Sequence, residues 1–448
     1  MDSISANEER KKFSRTLVVF GAIAFLALSA FAILNGPTPL VDFRTAFNSA
    51  RCLMHGRSPY KPAELIRMDH FEGGERDTDS DNDRFVMSHN VYYPTEFIVT
   101  VPFALLPFRF AQAFWISSTA GTYILACFLM WSVASQFAAE LAGWLLCLLL
   151  ATSEQIVLYG NPVGLALSLC IIAAWCFFND RFGKLGVLCL VASLALKPHD
   201  AGLIWLYFLL AGGAYRRRAL QVLAVLAVLS MGTIAWVTYV APDWMRDMQS
   251  NWAVFAAQGQ AADPGPTAYM NHGTALITDL QAVFSVFRDD PHFYNIGSYL
   301  IFAPLFLIWV VATLRNRRSA ADTLFALAAI APASMLPLYH RVYDAKLIML
   351  AIPACALLWH EGRRIGRVAL VITSAAILLS ADPTWSTVLR ALIQFHLLTP
   401  TEPARWVAAL IALPLPLSLL AMSIFYLYVY VQGAAPLLSR TALRTLSR

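Results

Sequence analysis

The chain has 448 residues, of which 58% are hydrophobic and 14% charged, with a formal net charge of +5. So much apolar surface exceeds what one globular core can hide, which excludes a soluble enzyme and predicts an all-α polytopic membrane protein. Basic loops between membrane segments account for the small positive charge, so no nucleic-acid partner is expected.

The first apolar run, Thr16 to Leu34, is long enough to cross a bilayer. Ala30-Phe31-Ala32 has the small-x-small form of a signal cleavage site, but Ile33 and Leu34 continue the run, so the helix is expected to be retained. Val41-Asp42-Phe43-Arg44 then opens an amphipathic helix. Phe43, Ala46, Phe47, Ala50, Leu53 and Met54 share one face, and Arg44, Asn48, Arg51 and His55 the other. Such a helix is expected to lie in the membrane interface, with Gly56 to Pro59 as its stop. A second interfacial segment runs from Pro94 to Pro107. Between them, Glu72 to Asp83 contains Asp77-Thr78-Asp79-Ser80-Asp81-Asn82-Asp83. Asn82 stands where a calcium loop needs Gly, and Ser88 where it needs Glu, so a solvated acidic loop is expected.

Further apolar runs follow at about 111 to 133, 137 to 153, 162 to 178, 182 to 196, 201 to 214, 219 to 240, 296 to 314, 320 to 338, 345 to 359, 367 to 381 and 404 to 431. With the first, these predict about 12 transmembrane helices in a single domain spanning 1 to 448. Arg10-Lys11-Lys12, Arg216-Arg217-Arg218, Arg315/Arg317/Arg318, Arg363/Arg364/Arg367 and the tail with Arg440, Arg444 and Arg448 fall on one side of this scheme. Roughly 18 basic and 7 acidic residues then lie inside, against about 15 and 21 outside. Both termini are thus expected in the cytoplasm of a cell whose inner membrane holds the protein. The outer face carries a first large loop, 35 to 110, a second, 241 to 295, and shorter loops near 153 to 162, 197 to 200, 339 to 344 and 382 to 403. Six of the seven cysteines lie in apolar runs and Cys52 alone in an outer loop, which implies no disulfide framework.

Chemistry belongs on that outer face. Asp42 stands at the expected N-cap of the amphipathic helix, where Asp contributes about 1 kcal/mol. It also stands where a catalyst for lipid-linked substrates needs an ionisable group, since inverting glycosyl transfer requires a carboxylate to take the proton of the acceptor hydroxyl. Capping and catalysis are compatible. Lys197-Pro198-His199-Asp200 breaks two short apolar runs, and its lysine either faces a polar cavity or snorkels. His340-Arg341-Val342-Tyr343-Asp344 is a second dense polar turn. Arg341 can grip a phosphate with His340 or Tyr343 orienting it, or can close the turn by pairing with Asp344. Asn271-His272-Gly273-Thr274 and Tyr159-Gly160-Asn161-Pro162 offer neutral donors and acceptors for sugar hydroxyls, or plain turn chemistry. Trp115, Trp244, Trp252 and Trp385 fall near predicted boundaries and read as an interfacial belt. No internal repeat, P-loop, GxSxG, HExxH or CxxC appears.

Asp42-Phe43 with Gly56-Arg57-Ser58-Pro59-Tyr60, then Tyr93-Pro94 ahead of Pro102 and Pro107, Lys197-Pro198 and the His340 to Asp344 turn together resemble the GT-C glycosyltransferases. Within these, the pattern is similar to family 87, the polyprenol-phosphate-mannose-dependent type, over roughly residues 15 to 360. The resemblance implies membrane helices with outer-face interfacial helices, Asp42 as catalytic base, and a polyprenyl-phosphate-linked sugar as donor. Thr95, Gly160-Asn161 and the Glu72 to Asp83 insert depart from the family pattern. The reading that follows is transfer of one sugar, mannose on the resemblance, to a glycan or glycolipid acceptor. Asp42 serves as base, Lys197, His199, His340, Arg341 and Tyr343 bind the donor phosphate, and Asn161, Asn271 and His272 bind sugar. No cofactor is implied, since cationic side chains can stand where a metal ion would. Two other classes fit the composition: a secondary transporter, which places ionisable residues near the midplane, and a polymerase or ligase of lipid-linked glycans, which uses a diphosphate donor.

Overall fold

The structure, a computed structural model, describes residues 2–35, 39–73, 81–260, 262–265, 277–315, 319–381 and 413–433. These residues are overwhelmingly helical. The first helix, α1 (Asp2–Asn35), is followed by α2 (Val41–Met54), α3 (Pro62–Glu72) and α4 (Asp81–Ser88). A 3-10 turn at Pro94–Glu96 leads into α5 (Phe97–Ala104) and the long α6 (Phe108–Ala151).

The sequence separates α6 into two runs, and its backbone does the same. Ala138 leaves the helical region at φ −143°, ψ 80°. Tyr123 and Ser153 then meet side chain to side chain at 2.8 Å. In a straight helix, thirty residues would separate them by roughly 45 Å, so the chain folds back at Ala138 into two antiparallel passes. α1 packs along this hairpin. Ser14 Oγ donates to the Ala139 carbonyl and accepts from Trp131 Nε1. Gly21 and Gly143 leave no room for a Cβ, which would fall 2.8 Å from Cys147 Cα and 2.7 Å from Ser14 Oγ.

After α7 (Gln155–Leu158) come α8 (Val163–Phe178), α9 (Gly183–Leu196), α10 (Pro198–Ala211), α11 (Gly213–Val240) and α12 (Trp244–Phe255). α13 (Leu280–Ser285), α14 (Pro291–Arg315), α15 (Ala320–Ser334), a 3-10 segment at Asp344–Ala351, α16 (Ile352–His360), α17 (Arg364–Leu379) and α18 (Pro414–Gln432) complete the described chain.

Among the described residues, five helical stretches are long and apolar enough to cross a membrane: Glu8–Asn35, Phe108–Leu158, Gly213–Val240, Pro291–Arg315 and Pro414–Gln432. The second contains the hairpin. The apolar runs expected at 162 to 178, 182 to 196 and 320 to 338 form helices of 16, 14 and 15 residues, shorter than the roughly 20 apolar residues of a typical span. Their burial explains why such short helices are stable: α15 is buried from Ala321 to Ser334, as is the whole 3-10 segment that follows it. The long α11 and α14 instead expose side chains such as Val228, Tyr239, Leu300 and Leu307. Wide apolar faces of this kind point to a membrane protein, with lipid covering what no helix covers.

One sequence expectation fails in the first large loop. The polar face of α2 does not meet the interface, because α3 covers it. Arg44 Nη2 lies 2.7 Å from Asp69 Oδ2, Asn48 Nδ2 donates to Asp69 Oδ1 at 2.8 Å, and Arg51 pairs with Glu72 at 2.8 Å. Residues 74 to 80 of the acidic insert lie outside the described residues, and its last three, Asp81 to Asp83, open the helix α4, which packs on α2 and α3 and in which Asp83 is buried. Elsewhere a single lysine ties helix ends together. Lys346 Nζ donates to the carbonyls of Thr152 and Ser380, which follow the last turns of α6 and α17, where helix dipoles favour a cation.

Candidate functional site

A cavity of about 940 Å³ opens where the loops assigned to the outer side converge. Asp42 comes from the first large loop, Asn161 from the turn before α8, Lys197 from the α9–α10 break, Trp252 from α12 and Arg341 from the turn after α15.

Asp42 reaches the cavity through a tight fit of α2 onto the 158–160 turn. Leu40 takes a left-handed conformation at φ 63°, its N–H donates to Leu158 O at 2.7 Å, and the Asp42 N–H donates to Tyr159 O at 3.0 Å. Gly160 is required here twice over. Its φ is +65°, and a Cβ would fall 2.7 Å from Phe43 Cβ. Trp115, expected in an interfacial belt, is buried and pins this turn by donating to Gly160 O at 2.9 Å.

Asp42 is therefore not the N-cap. The cap residue is Leu40, no side chain caps the helix, and the N–H groups of Leu40 and Asp42 are satisfied by the Leu158 and Tyr159 carbonyls. Its carboxylate is left for the cavity. Asn161 Nδ2 donates to Asp42 Oδ2 at 2.8 Å and also lies 2.9 Å from Tyr92 Oη and 3.2 Å from Tyr343 Oη. Asn161 Oδ1 accepts from the Val163 N–H, which fixes the amide orientation. Burial raises the Asp42 carboxyl above its ordinary 3.8, and the Asn161 bond and the charges of Arg341 and Lys197 offset only part of that.

The cationic side of the cavity departs from expectation in its pairing. Lys197 lines the cavity, but its Nζ bonds Asp344 Oδ1 at 2.7 Å and lies 3.8 Å from Asp200 Oδ2. Asp344, the alternative partner for Arg341, does close that turn, but through the backbone: the Arg341 N–H donates to Asp344 Oδ2 at 2.6 Å. The guanidinium instead donates from Nε to Tyr339 Oη at 2.5 Å. The Tyr343 ring lies under Lys197 Nζ, 5.6 Å from the centroid. An antiparallel bridge between Ile277 and Arg341, with Thr278 N donating to His340 O at 2.9 Å, ties the second large loop to the same turn.

Of the expected site residues, Asp42, Asn161, Lys197, His199, Arg341 and Tyr343 share the cavity wall. His340 stands behind it, fully buried. Asn271 and His272, with Trp385, lie outside the described residues. No protein-family model, curated protein or solved structure matches the chain. What the site does has to come from its own chemistry.

Three features of the site escaped the sequence reading. Tyr92, adjacent to the Tyr93-Pro94 pair, is the residue of that segment that reaches Asn161. Glu96 is buried with neither carboxyl oxygen hydrogen-bonded, and burial followed by the Asp42 charge pushes it up to about 8. Trp244, Met245, Met248, Trp252 and Phe255 lie on one side of α12 and line the cavity with apolar surface. The spacing of these five on a helix was the available signal, and reading the tryptophans singly concealed it.

Proposed function

We propose that this protein is a membrane glycosyltransferase that moves one sugar, mannose on the family resemblance, from a polyprenyl-phosphate donor to a glycan or glycolipid acceptor at the outer face of a bacterial inner membrane. The observation that carries this reading is the Asp42 carboxylate, held by Asn161 in a cavity that Lys197 and Arg341 also line. Asp42 takes the proton of the acceptor hydroxyl while that oxygen attacks the anomeric carbon. The bond to phosphate breaks on the other face of the sugar, and the electrons leave with polyprenyl phosphate. A carboxyl raised above its usual value is a better base than an exposed one.

Arg341 supplies planar donors suited to a phosphate. Lys197, already bonded to Asp344, adds its field with its charge partly balanced. The apolar side of α12 offers a surface for the first isoprene units, which cannot leave the hydrocarbon while the headgroup reacts. About twelve membrane passes, with both termini in the cytoplasm and a GT-C arrangement, are part of the same reading.

Asp42→Asn is the test. Asn can keep the bond from Asn161 but cannot accept a proton, and no helix cap is lost because Asp42 makes none. Sugar transfer by the purified variant should fall by at least roughly 10², with the melting temperature unchanged, since general-base catalysis is typically worth 10² to 10⁴. Wild-type activity should fall on the acid side with an apparent pKa above 3.8. Near wild-type turnover in the Asn variant would leave this reading without its base.

A further inference from the structure

Behind the cavity wall, Asp200 Oδ1 lies 3.1 Å from His340 Nε2 and 3.8 Å from His199 Nε2. The ligand atoms of these three residues all fall within 4.8 Å of one another. They come from two separate elements, the first turn of α10 and the turn after α15. Nothing in the proposed sugar transfer uses them as a group.

The protonation of His340 is constrained by its other nitrogen. Nδ1 lies 2.9 Å from the Leu338 carbonyl, an oxygen that can only accept, so Nδ1 carries the proton. In the neutral ring, Nε2 then presents a lone pair toward a carboxylate oxygen. Apart from that 3.1 Å contact with each other, neither Nε2 nor either Asp200 oxygen has a hydrogen-bond partner, and His340 is fully buried while Asp200 is 2% exposed. Two buried acceptors facing one another need a positive species between them. A backbone carbonyl holding the far nitrogen is also the usual support of a metal-bound histidine.

We propose that His199, Asp200 and His340 bind a divalent transition-metal cation, zinc by ligand type. Two imidazoles and one carboxylate are a borderline-soft set that suits zinc and excludes calcium and magnesium. Ligand bonds of about 2.0–2.2 Å at tetrahedral angles place neighbouring donors roughly 3.3 Å apart, close to the 3.1 and 3.8 Å already present. Lys197 does not compete, because it approaches the other Asp200 oxygen and its ammonium is held by Asp344. His199 is one-third exposed and lines the cavity. The fourth position therefore opens toward the cavity, where an anionic oxygen can complete the tetrahedron. The site stands whether or not the cavity transfers sugar.

The test uses full-length protein in detergent, purified without a histidine tag and stripped with a chelator. Dialysis against zinc chloride followed by elemental analysis should give one zinc per chain, and cobalt(II) in its place should give the strong visible spectrum of a four-coordinate site. His199→Ala, on the cavity side of the cluster, should weaken zinc binding by roughly 100-fold or more while the protein still melts cooperatively, and His340→Gln should do the same. His360→Ala, an exposed histidine elsewhere, should leave binding unchanged. Substoichiometric zinc in the wild type, or zinc binding that survives His199→Ala, overturns the proposal. In that case the positive species at Asp200 is the proton of a charged His340 ring.

Discussion

Glu96 has the most unusual residue environment next to the cavity. Its ordinary value is 4.5, and burial together with the Asp42 charge holds it near 8, so it is neutral at pH 7. The sign of the consequence follows from proton counts. Between pH 4.5 and about 8 the folded protein holds a proton that the unfolded chain has released, so folding stability from this group is full below that window and is lost as pH rises through it. Glu96→Gln removes the ionisation and should flatten the fall in melting temperature between pH 5 and pH 9, a comparison scanning fluorimetry in detergent can make. Equal slopes in the two proteins would mean that Glu96 is already ionised at pH 7. At this scale Asp42, Lys197 and Arg341 were legible as ionisable groups at helix breaks, and Asn161 as a polar group in a turn. Their partners were not. Lys197, expected to face a polar cavity or to snorkel, lines the cavity paired with Asp344, because a buried ammonium needs a carboxylate such as this one at 2.7 Å.

Elements show the same division between pattern and pairing. The helical period of 43 to 54 identified α2 correctly, and Gly56, with φ +69°, ends it as expected. Periodicity also marked one face polar, which normally means solvent. Here Asp69, in the third turn of α3, draws that face inward by accepting from both Arg44 and Asn48. A pairing across 25 residues leaves no periodic trace. Asp69→Ala should therefore cost about 3–5 kcal/mol, the range for breaking a buried ion pair, and lower the melting temperature. Because Arg44 sits two residues from Asp42, it should also impair the cavity. The double variant Arg44→Met with Asp69→Leu tests whether charge or only volume is needed, and should recover most of the stability. Loss of stability in the double variant as large as in the single one would show that the seam depends on its geometry. The short helices teach a related lesson. Runs such as 320 to 338 matched a membrane span in composition, but their apolar residues are spent on neighbouring helices, which composition cannot distinguish from lipid.

Across the whole molecule, the alternation of basic clusters and polar loops makes a prediction about sides. All seven native cysteines are buried, so introduced ones can be labelled over a low background. Lys61→Cys, exposed between α2 and α3, should react with an impermeant thiol reagent in intact cells, and Arg217→Cys, exposed near the start of α11, should react only after permeabilisation. The reverse pattern would turn the cavity toward the cytoplasm and remove a donor presented at the outer face. The charge pattern assigns five distant loops to one side, and their convergence on one cavity has no trace in it; the fold-back at Ala138 shows in the sequence only as a gap between two apolar runs. The Lys197–Asp344 bond, spanning 147 residues, and the Asn161–Tyr343 contact, spanning 182, bear on the order in which the chain is made. When Lys197 and Asp200 enter the membrane they have only each other, one cation and one anion three residues apart, and the pair is neutral while it waits. Arg341, Tyr343 and Asp344 arrive in the last quarter of synthesis. A chain released before residue 341 thus carries Asp42, Asn161 and Lys197 without Arg341, Tyr343 and Asp344, so on the proposed reading premature termination yields an inert protein.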